Sequence, residues 1–372
     1  MEVAILTSSR ADYGLYKPLL NALKSQKKIK PRLIVFGTHL SFQHGYTIDQ
    51  IKADGYPVFK EIETPIAGDT PQIISEIVGK VHIKFAALWA GTYFDLILCL
   101  GDRYEMYAAV SASVPFNIPV AHISGGEETL GAIDNYYRHA LTLLSICHFT
   151  NTKNNAKRVK QLINSEKNVH FTGSLTVDNI KTTKLLSARE FSSKFNFDIA
   201  QPFILFTFHP ETVNYKRNIL FANVIKDILR KQKVSVLVTM PNADTMGNTI
   251  RKQLVAAAKE NKNIYLIESL GSQGYYTAMK HCMMVMGNSS SGIVEAASFG
   301  KYVINMGDRQ KGREQGKNIL NVPIEEKAVL KLIYKVQKMP DPGYKNIYGD
   351  GKTASRMVKV LSKINDKYGK SE

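Results

Sequence analysis

The sequence is poor in the features that mark membrane, secreted and metal-binding chains. No stretch reaches the roughly 18 consecutive apolar residues that would cross a bilayer. The opening Met1-Glu2-Val3-Ala4-Ile5-Leu6-Thr7 lacks a basic n-region and reads as a first strand rather than a signal peptide. There are three cysteines, Cys99, Cys147 and Cys282, far apart and in apolar or mostly apolar runs. They fit buried thiols in a reducing cytoplasm and show no metal-ligand spacing. No Gly-x-Gly-x-x-Gly follows the first strand, so a dinucleotide cofactor is not indicated. No basic run is interleaved with aromatics, so nucleic acid is not the expected partner. Short repeats and low-complexity tracts are also missing.

What is present is ordinary globular composition, 44% hydrophobic and 22% charged, in 372 residues. That length suits two domains. The net charge of +17 suits an anionic ligand. Much of it comes from scattered lysines, such as Lys24, Lys27, Lys28 and Lys30, or Lys153, Lys157 and Lys160, which read as solvated helix faces.

Strand-like and helix-like segments alternate, which predicts parallel sheets covered by helices. Strands are expected at 3–7, 32–36, 95–100, 119–123, 147–150 and 169–171, with helices at 14–24, 70–90, 106–113 and 135–144. A second series has strands at 203–208, 234–239, 264–267, 283–286 and 303–305, the last strand expected. Its helices are at 219–230, 249–259, 274–281 and 353–367. The expected architecture is α/β, two Rossmann-like domains facing a cleft. The domains are 1–175 and 176–372, the boundary falls within 172–200, and the last helix packs back on the first domain.

Polar clusters stand where these strands end, the edge at which open α/β sheets bind ligands. The run Gly287-Asn288-Ser289-Ser290-Ser291-Gly292 follows an apolar strand and opens a helical pattern through Ile293, Val294, Ala296, Ala297 and Phe299 to Gly300. Unpaired backbone N–H groups, hydroxyls and a glycine at such a terminus favour phosphate or diphosphate. Glu295, in the expected first turn, suits sugar hydroxyls. An ordinary capped helix accounts for the same residues. Arg10 and Lys17, after the first strand, can pair with phosphate or simply lie on the surface. Asp102, Glu127, Glu128 and Asp134 are carboxylates just past strand ends. Crowded carboxylates shift each other's pKa, which general acid/base chemistry needs. Helix capping explains Asp102 or Asp134 taken singly. Arg138 and His139 follow Asp134 by one turn, and His209 ends a strand before Pro210.

In this set of segments the chain resembles the hydrolysing UDP-N-acetylhexosamine 2-epimerases, the enzymes that start sialic and legionaminic acid synthesis. The matching runs are Thr7 to Gly14, Gly101-Asp102-Arg103, His122 to Glu127, Gly131 to Asp134 with Arg138-His139, His209-Pro210, Pro241 to Asp244, and Gly287 to Gly292. Each is weak alone; their order is specific. The resemblance implies a glycosyltransferase-B type fold, a homodimer or homotetramer, and a cytoplasmic reaction on a UDP-sugar without NAD or metal. A base removes the C2 proton as UDP leaves C1, giving a 2-acetamidoglycal. Water then adds at C1 and a proton returns at C2 on the opposite face. By motif, Asp102, Glu127 and Asp134 carry the acid/base roles and His209 assists departure of the diphosphate. Ser290, Ser291 and Gly292 hold phosphate, and Glu295 holds ribose. Arg10, Lys17 and Arg313 complete the nucleotide site, with Arg138 also at the substrate. Many relatives have an acid or histidine where this chain has Ser124. The wording of 122–135 is most like the legionaminic-acid branch, whose substrate is UDP-N,N'-diacetylbacillosamine.

Overall fold

The computed structural model describes residues 1–42, 46–64, 70–130, 133–211, 217–241 and 247–368. The chain divides into two compact units. Unit one holds Met1–Glu127, Asp134–Lys181 and the chain from Tyr348 onward; unit two holds Glu128–Ile133 and Thr182–Ile347.

Unit one is built on seven parallel strands: β1 (Glu2–Thr7), β2 (Lys30–Phe36), β3 (Val58–Ile62), β4 (Leu96–Leu100), β5 (Val120–Ile123), β6 (Cys147–Thr150) and β7 (Val169–Phe171). Their spatial order is β3-β2-β1-β4-β5-β6-β7. Unit two has six: β8 (Phe203–Thr207), β9 (Ser235–Thr239), β10 (Ile264–Ile267), β11 (Met284–Gly287), β12 (Val303–Met306) and β13 (Ile319–Val322). Their order is β10-β9-β8-β11-β12-β13, again all parallel. A parallel sheet is covered on both faces, so its central strands are apolar throughout. β4 reads Leu-Ile-Leu-Cys-Leu and β8 Phe-Ile-Leu-Phe-Thr, buried at every position.

In unit one, one face packs under Leu19, Leu20 and Leu23 of the helix Arg10–Lys24, together with Met357, Leu361 and Ile364 of the last helix. The other face packs under Val81, Phe85 and Trp89 of Pro71–Gly91. In unit two, Phe221, Ile225 and Ile228 of Asn218–Arg230 pack with Leu254 of Gly247–Glu260. The strand order reverses beside β1 in the first sheet and beside β8 in the second. The loops that follow β1 and β4, or β8 and β11, therefore diverge and leave room for a ligand.

Several expected boundaries differ. The first helix starts at Arg10 rather than 14, because Ser9 and Asp12 form a reciprocal capping box. The strand at 303–305 is not the last: β13 pairs beside β12. It is short, four residues, and interrupted by the exposed Asn321, with only Ile319 and Val322 buried. β3 and the helices Lys153–Leu162, Leu175–Thr182, Ala188–Phe195 and Glu326–Val336 are further elements that the expected series does not include. The helix expected through Phe299 is two pieces, Ser290–Val294 and a 3₁₀ turn Ala296–Phe299, closed by Gly300 at φ +64°. Serine and glycine are weak helix formers, and the left-handed glycine ends the turn. Glu295 therefore lies at the C-terminal end of the short helix, not in its first turn. Among the described residues no helix is long and apolar enough to cross a membrane.

Candidate functional site

The polar strand ends form separate groups in the two units. After β1, Asp12 is buried and gathers the loop around itself. The backbone N–H groups of Ser8 and Ser9 donate to its Oδ2 at 2.7 and 3.2 Å, and Ser8 Oγ donates at 2.9 Å. Burial raises the Asp12 pKa, opposed by the nearby charge of Arg103. Arg10, two residues earlier, is exposed. Lys17 Nζ lies 2.5 Å from Asp54 Oδ2.

The carboxylates of unit one meet at a buried arginine. Arg138 is 1% exposed, on the helix Asp134–Leu143. Its guanidinium donates to Asp102 Oδ2, to Asn135 Oδ1 at 3.0 Å and to the Glu127 carbonyl at 2.9 Å. A planar fork with fixed donors is suited to organising three oxygens at once. Asp102 thus serves as partner of Arg138; the helix it might have capped, Tyr104–Ser111, has no side-chain cap. Asp134 is pushed up to about 6, by burial first and by the charge of Asp102 second, with Arg138 opposing. Its neighbour Asp102 is paired with a cation, so the two carboxyls are held in unlike environments. Glu127 is 6% exposed and its Oε1 accepts from Asn151 Nδ2 at 2.5 Å. His122 braces the same loops: its Nε2–H donates to the Gly101 carbonyl at 2.8 Å and its Nδ1 lies 3.1 Å from Thr142 Oγ1. Burial drops His122 to about 4, so it is neutral.

In unit two, Asn288 ties β8 to β11. Its Oδ1 accepts from the His209 N–H and its Nδ2 donates to the His209 carbonyl, both at 2.7 Å. Arg309 Nη1 and Gln310 Nε2 donate to the Asn288 carbonyl at 3.1 and 2.9 Å. These bonds fix the His209 backbone and bring the loop after β12 against the start of the Ser289–Ser291 turn. Gly287 has φ +126°, and a Cβ there would fall 1.9 Å from the Thr207 carbonyl oxygen, so the strand end admits only glycine. His209 is 8% exposed; burial and then Arg309 lower it to about 3. Its Nδ1 is buried with no hydrogen-bond partner. Ser289 caps the short helix, and Ser291 Oγ lies 2.9 Å from Ser289 Oγ and 2.8 Å from Tyr275 Oη. Ser290 is exposed. Gly292 is buried, and a Cβ there would lie 3.0 Å from Val303 Cγ1, so this glycine also lets the helix sit on β12. Glu295 is raised to about 8 by burial, and its Oε2 has no hydrogen-bond partner. A neutral carboxyl facing no protein donor is ready to bond a hydroxyl-bearing ligand. Arg313 follows Arg309 and Gln310 in the same loop. Beside that loop a cavity of about 520 Å³ is lined by Glu211, Arg217, Asn305, Lys311, Gln315 and Asn321 among others.

The structure thus brings Asp102, Glu127, Asp134 and Arg138 together in unit one. In unit two it brings His209 together with the residues from Asn288 to Ser291. Arg10 and Lys17 stand apart from the carboxylates in their hydrogen bonding. The runs Gly131-Ala132 and Asn242-Ala243-Asp244 lie outside the described residues. Among the described residues no group of three or more His, Cys, Asp or Glu could hold a metal ion. Asn151 was missed by the sequence reading, though it ends the run Cys147-His148-Phe149-Thr150 and so obeys the strand-end rule that found the others.

A family model described as UDP-N-acetylglucosamine 2-epimerase matches residues 21–362. The UDP-N,N'-diacetylbacillosamine 2-epimerase (hydrolyzing) of Legionella pneumophila is 31% identical over 364 residues, covering 98% of this chain and 96% of that protein. The GDP/UDP-N,N'-diacetylbacillosamine 2-epimerase (hydrolyzing) of Campylobacter jejuni is 32% identical over 330 residues, covering 87% and 85%. A crystal structure of UDP-GlcNAc 2-epimerase from Neisseria meningitidis bound to UDP-GlcNAc is similar in fold, with a TM-score of 0.82 at 18% identity, covering 98% of this chain and 100% of that one. The fold is α/β of the glycosyltransferase-B type.

Proposed function

The chain belongs to the UDP-N-acetylglucosamine 2-epimerase family, and we propose that it is a hydrolysing epimerase acting on UDP-N,N'-diacetylbacillosamine. The products are UDP and 2,4-diacetamido-2,4,6-trideoxymannose. In the first step a carboxylate takes the C2 proton while the C1–O bond breaks and its electrons leave with UDP. The alkene formed is a 2-acetamidoglycal. In the second step water adds at C1 and a carboxylic acid returns a proton to the opposite face of C2.

The observation that carries this reading is the unlike pair around Arg138. Asp134 is pushed up to about 6, while Asp102 is ion-paired with the buried guanidinium. Two carboxyls in unlike surroundings, one raised by burial and one paired with a cation, suit removal and return of a proton. Asp102, Glu127 and Asp134 are the acid/base groups in this reading. Arg138, buried and bonded to Asp102, orients them at the substrate. His209, neutral at pH 7, assists departure of the diphosphate. Ser290, Ser291 and Gly292 hold phosphate and Glu295 holds the ribose hydroxyls. Arg10, Lys17 and Arg313 complete the nucleotide contacts.

The substrate is assigned from the Legionella pneumophila and Campylobacter jejuni relatives and from Ser124, a neutral residue suited to a less polar sugar edge. UDP-N-acetylglucosamine is the second reading, supported by a Neisseria meningitidis relative named for it, 24% identical over 364 residues. The protein is proposed to act as a homodimer or homotetramer in the cytoplasm, which its three buried free cysteines suit. Incubation with each UDP-sugar in deuterated water, without any acceptor, tests the reaction and the substrate together. UDP release with one deuterium at C2 of the free sugar is expected, faster with the diacetamido substrate. An inert mixture, or UDP release only when an acceptor is added, would sink the reading.

A further inference from the structure

Glu127 has a role in the proposed reaction, and its surroundings specify how that carboxylate is held. The backbone is fixed first. Gly126 has φ +78°, and a Cβ there would lie 2.4 Å from the Asn155 carbonyl oxygen, so the turn leading into Glu127 requires glycine and packs directly on the Asn155 backbone. Arg138 donates to the Glu127 carbonyl at 2.9 Å, and Arg158 donates to the Gly126 carbonyl at 2.6 Å. Both cations thus reach the backbone on either side of the peptide.

A neutral group also reaches the side chain. Asn151 follows β6 and is 5% exposed. Its Nδ2 lies 2.5 Å from Glu127 Oε1 and 3.1 Å from Ser124 Oγ. An amide nitrogen carries two hydrogens, so one serves each oxygen. Ser124 Oγ also lies 3.4 Å from Asn151 Oδ1. Ser124 has φ +69°, a left-handed conformation that a serine adopts only when its surroundings require it. Here the conformation turns its hydroxyl to Asn151.

We propose that Asn151, with Ser124 as its second anchor, is the positioning residue that fixes the Glu127 carboxylate for proton transfer. This rests on Glu127 being an acid/base group of the proposed reaction. An asparagine is suited to the task because its N–H is a donor at every pH and it cannot exchange a proton itself. The amide holds Oε1 of Glu127 in place and leaves the other carboxylate oxygen outside this bond. A carboxylate at position 151 would instead repel Glu127 and compete for its proton. The Ser124–Asn151 pair therefore supplies a neutral, hydrogen-bonded bracket next to the base.

The test compares Asn151→Asp, Asn151→Ala and Ser124→Gly with the native protein. The readouts are deuterium entry at C2, UDP release across pH, and UDP affinity by calorimetry. Asn151→Asp should lower kcat at least about tenfold and move the limb of the kcat profile that reports the base upward by about one pH unit. Asn151→Ala should lower kcat by a similar factor with KM nearly unchanged. Ser124→Gly suits the left-handed backbone and so keeps the fold; it should lower kcat by a smaller factor. UDP affinity should stay within about threefold in all three, since the amide touches no phosphate contact. Asn151 variants that keep the native pH profile and kcat overturn the inference, as does a loss confined to KM. If the native protein itself releases UDP with no deuterium at C2, it is the reaction reading that fails.

Discussion

His122 and His209 are buried histidines near the strand ends of two different units. One lies in β5 of the first sheet and the other two residues past β8 of the second. Both are buried, and burial makes both neutral, at about 4 and about 3. They differ in what their ring nitrogens meet. His122 is engaged on both sides, by the Gly101 carbonyl and Thr142. His209 has its backbone clamped by Asn288 and leaves Nδ1 without a hydrogen-bond partner. Burial alone does not separate a structural histidine from an available one; completed hydrogen bonding does. The same contrast runs through the units. In the first, charges are paired into a network around Arg138. In the second, Glu295 and His209 are kept neutral and incompletely bonded.

The largest expected effect falls on the paired network. Asp102→Asn keeps an oxygen for Arg138, so folding should survive. Turnover should drop about 10³-fold with UDP binding intact, measured by UDP release and calorimetry. Retained turnover would show that the pair with Arg138 is only structural. Next comes acid stability. A histidine at 6.5 when unfolded and about 4 when folded binds fewer protons in the folded state. Its contribution is whole above pH 6.5, is lost as pH falls, and is fully lost near pH 4. For His122 that is about 3 kcal/mol, at about 1.4 kcal/mol per pKa unit. Denaturant titrations at pH 7, 5.5 and 4 should show the slope, and His122→Gln should reduce it, with His39, His148 and His209 keeping the remainder. His209→Ala should act the other way round, costing about 100-fold in kcat with little change in unfolding midpoint. Equal stability losses at the two positions would erase the contrast between them. The smallest effect is expected at Lys17, which is paired with Asp54 at the surface. Lys17→Met should cost at most about 1 kcal/mol of stability. A large loss of UDP affinity in that variant would give Lys17 the nucleotide role its motif suggests.

The alternation of apolar strands and helices was legible because parallel strands buried on both faces have few compatible sequences. The strand-end clusters were legible for the same reason, since each interrupts such a run. What escaped were matters of distance and competition. Nothing in the sequence links Arg138 to Asp102, 36 residues apart. Nothing before the fold forms says that Asp54 will take Lys17, 37 residues further along the chain. Asp12 reads as a polar motif residue, yet it is buried as the hub of its own loop. β13 is only four residues long, and Asn321 interrupts its apolar run. The apolar periodicity runs on past Glu295 to Phe299, whereas Ser290–Val294 stops after five residues and leaves Glu295 as its C-cap.

The helix Thr353–Tyr368 has a consequence for the order in which this protein matures. The chain leaves unit one after Lys181, builds unit two, and returns at Tyr348. Ala354, Met357, Val358, Leu361 and Ile364 then enter the core beneath β1 and the helix Arg10–Lys24. During synthesis the first sheet waits for Thr353–Tyr368, and the part of its apolar face that this helix covers stays open while unit two is translated. A chain truncated before residue 353 should therefore show a protease-sensitive first sheet while keeping every strand of unit two.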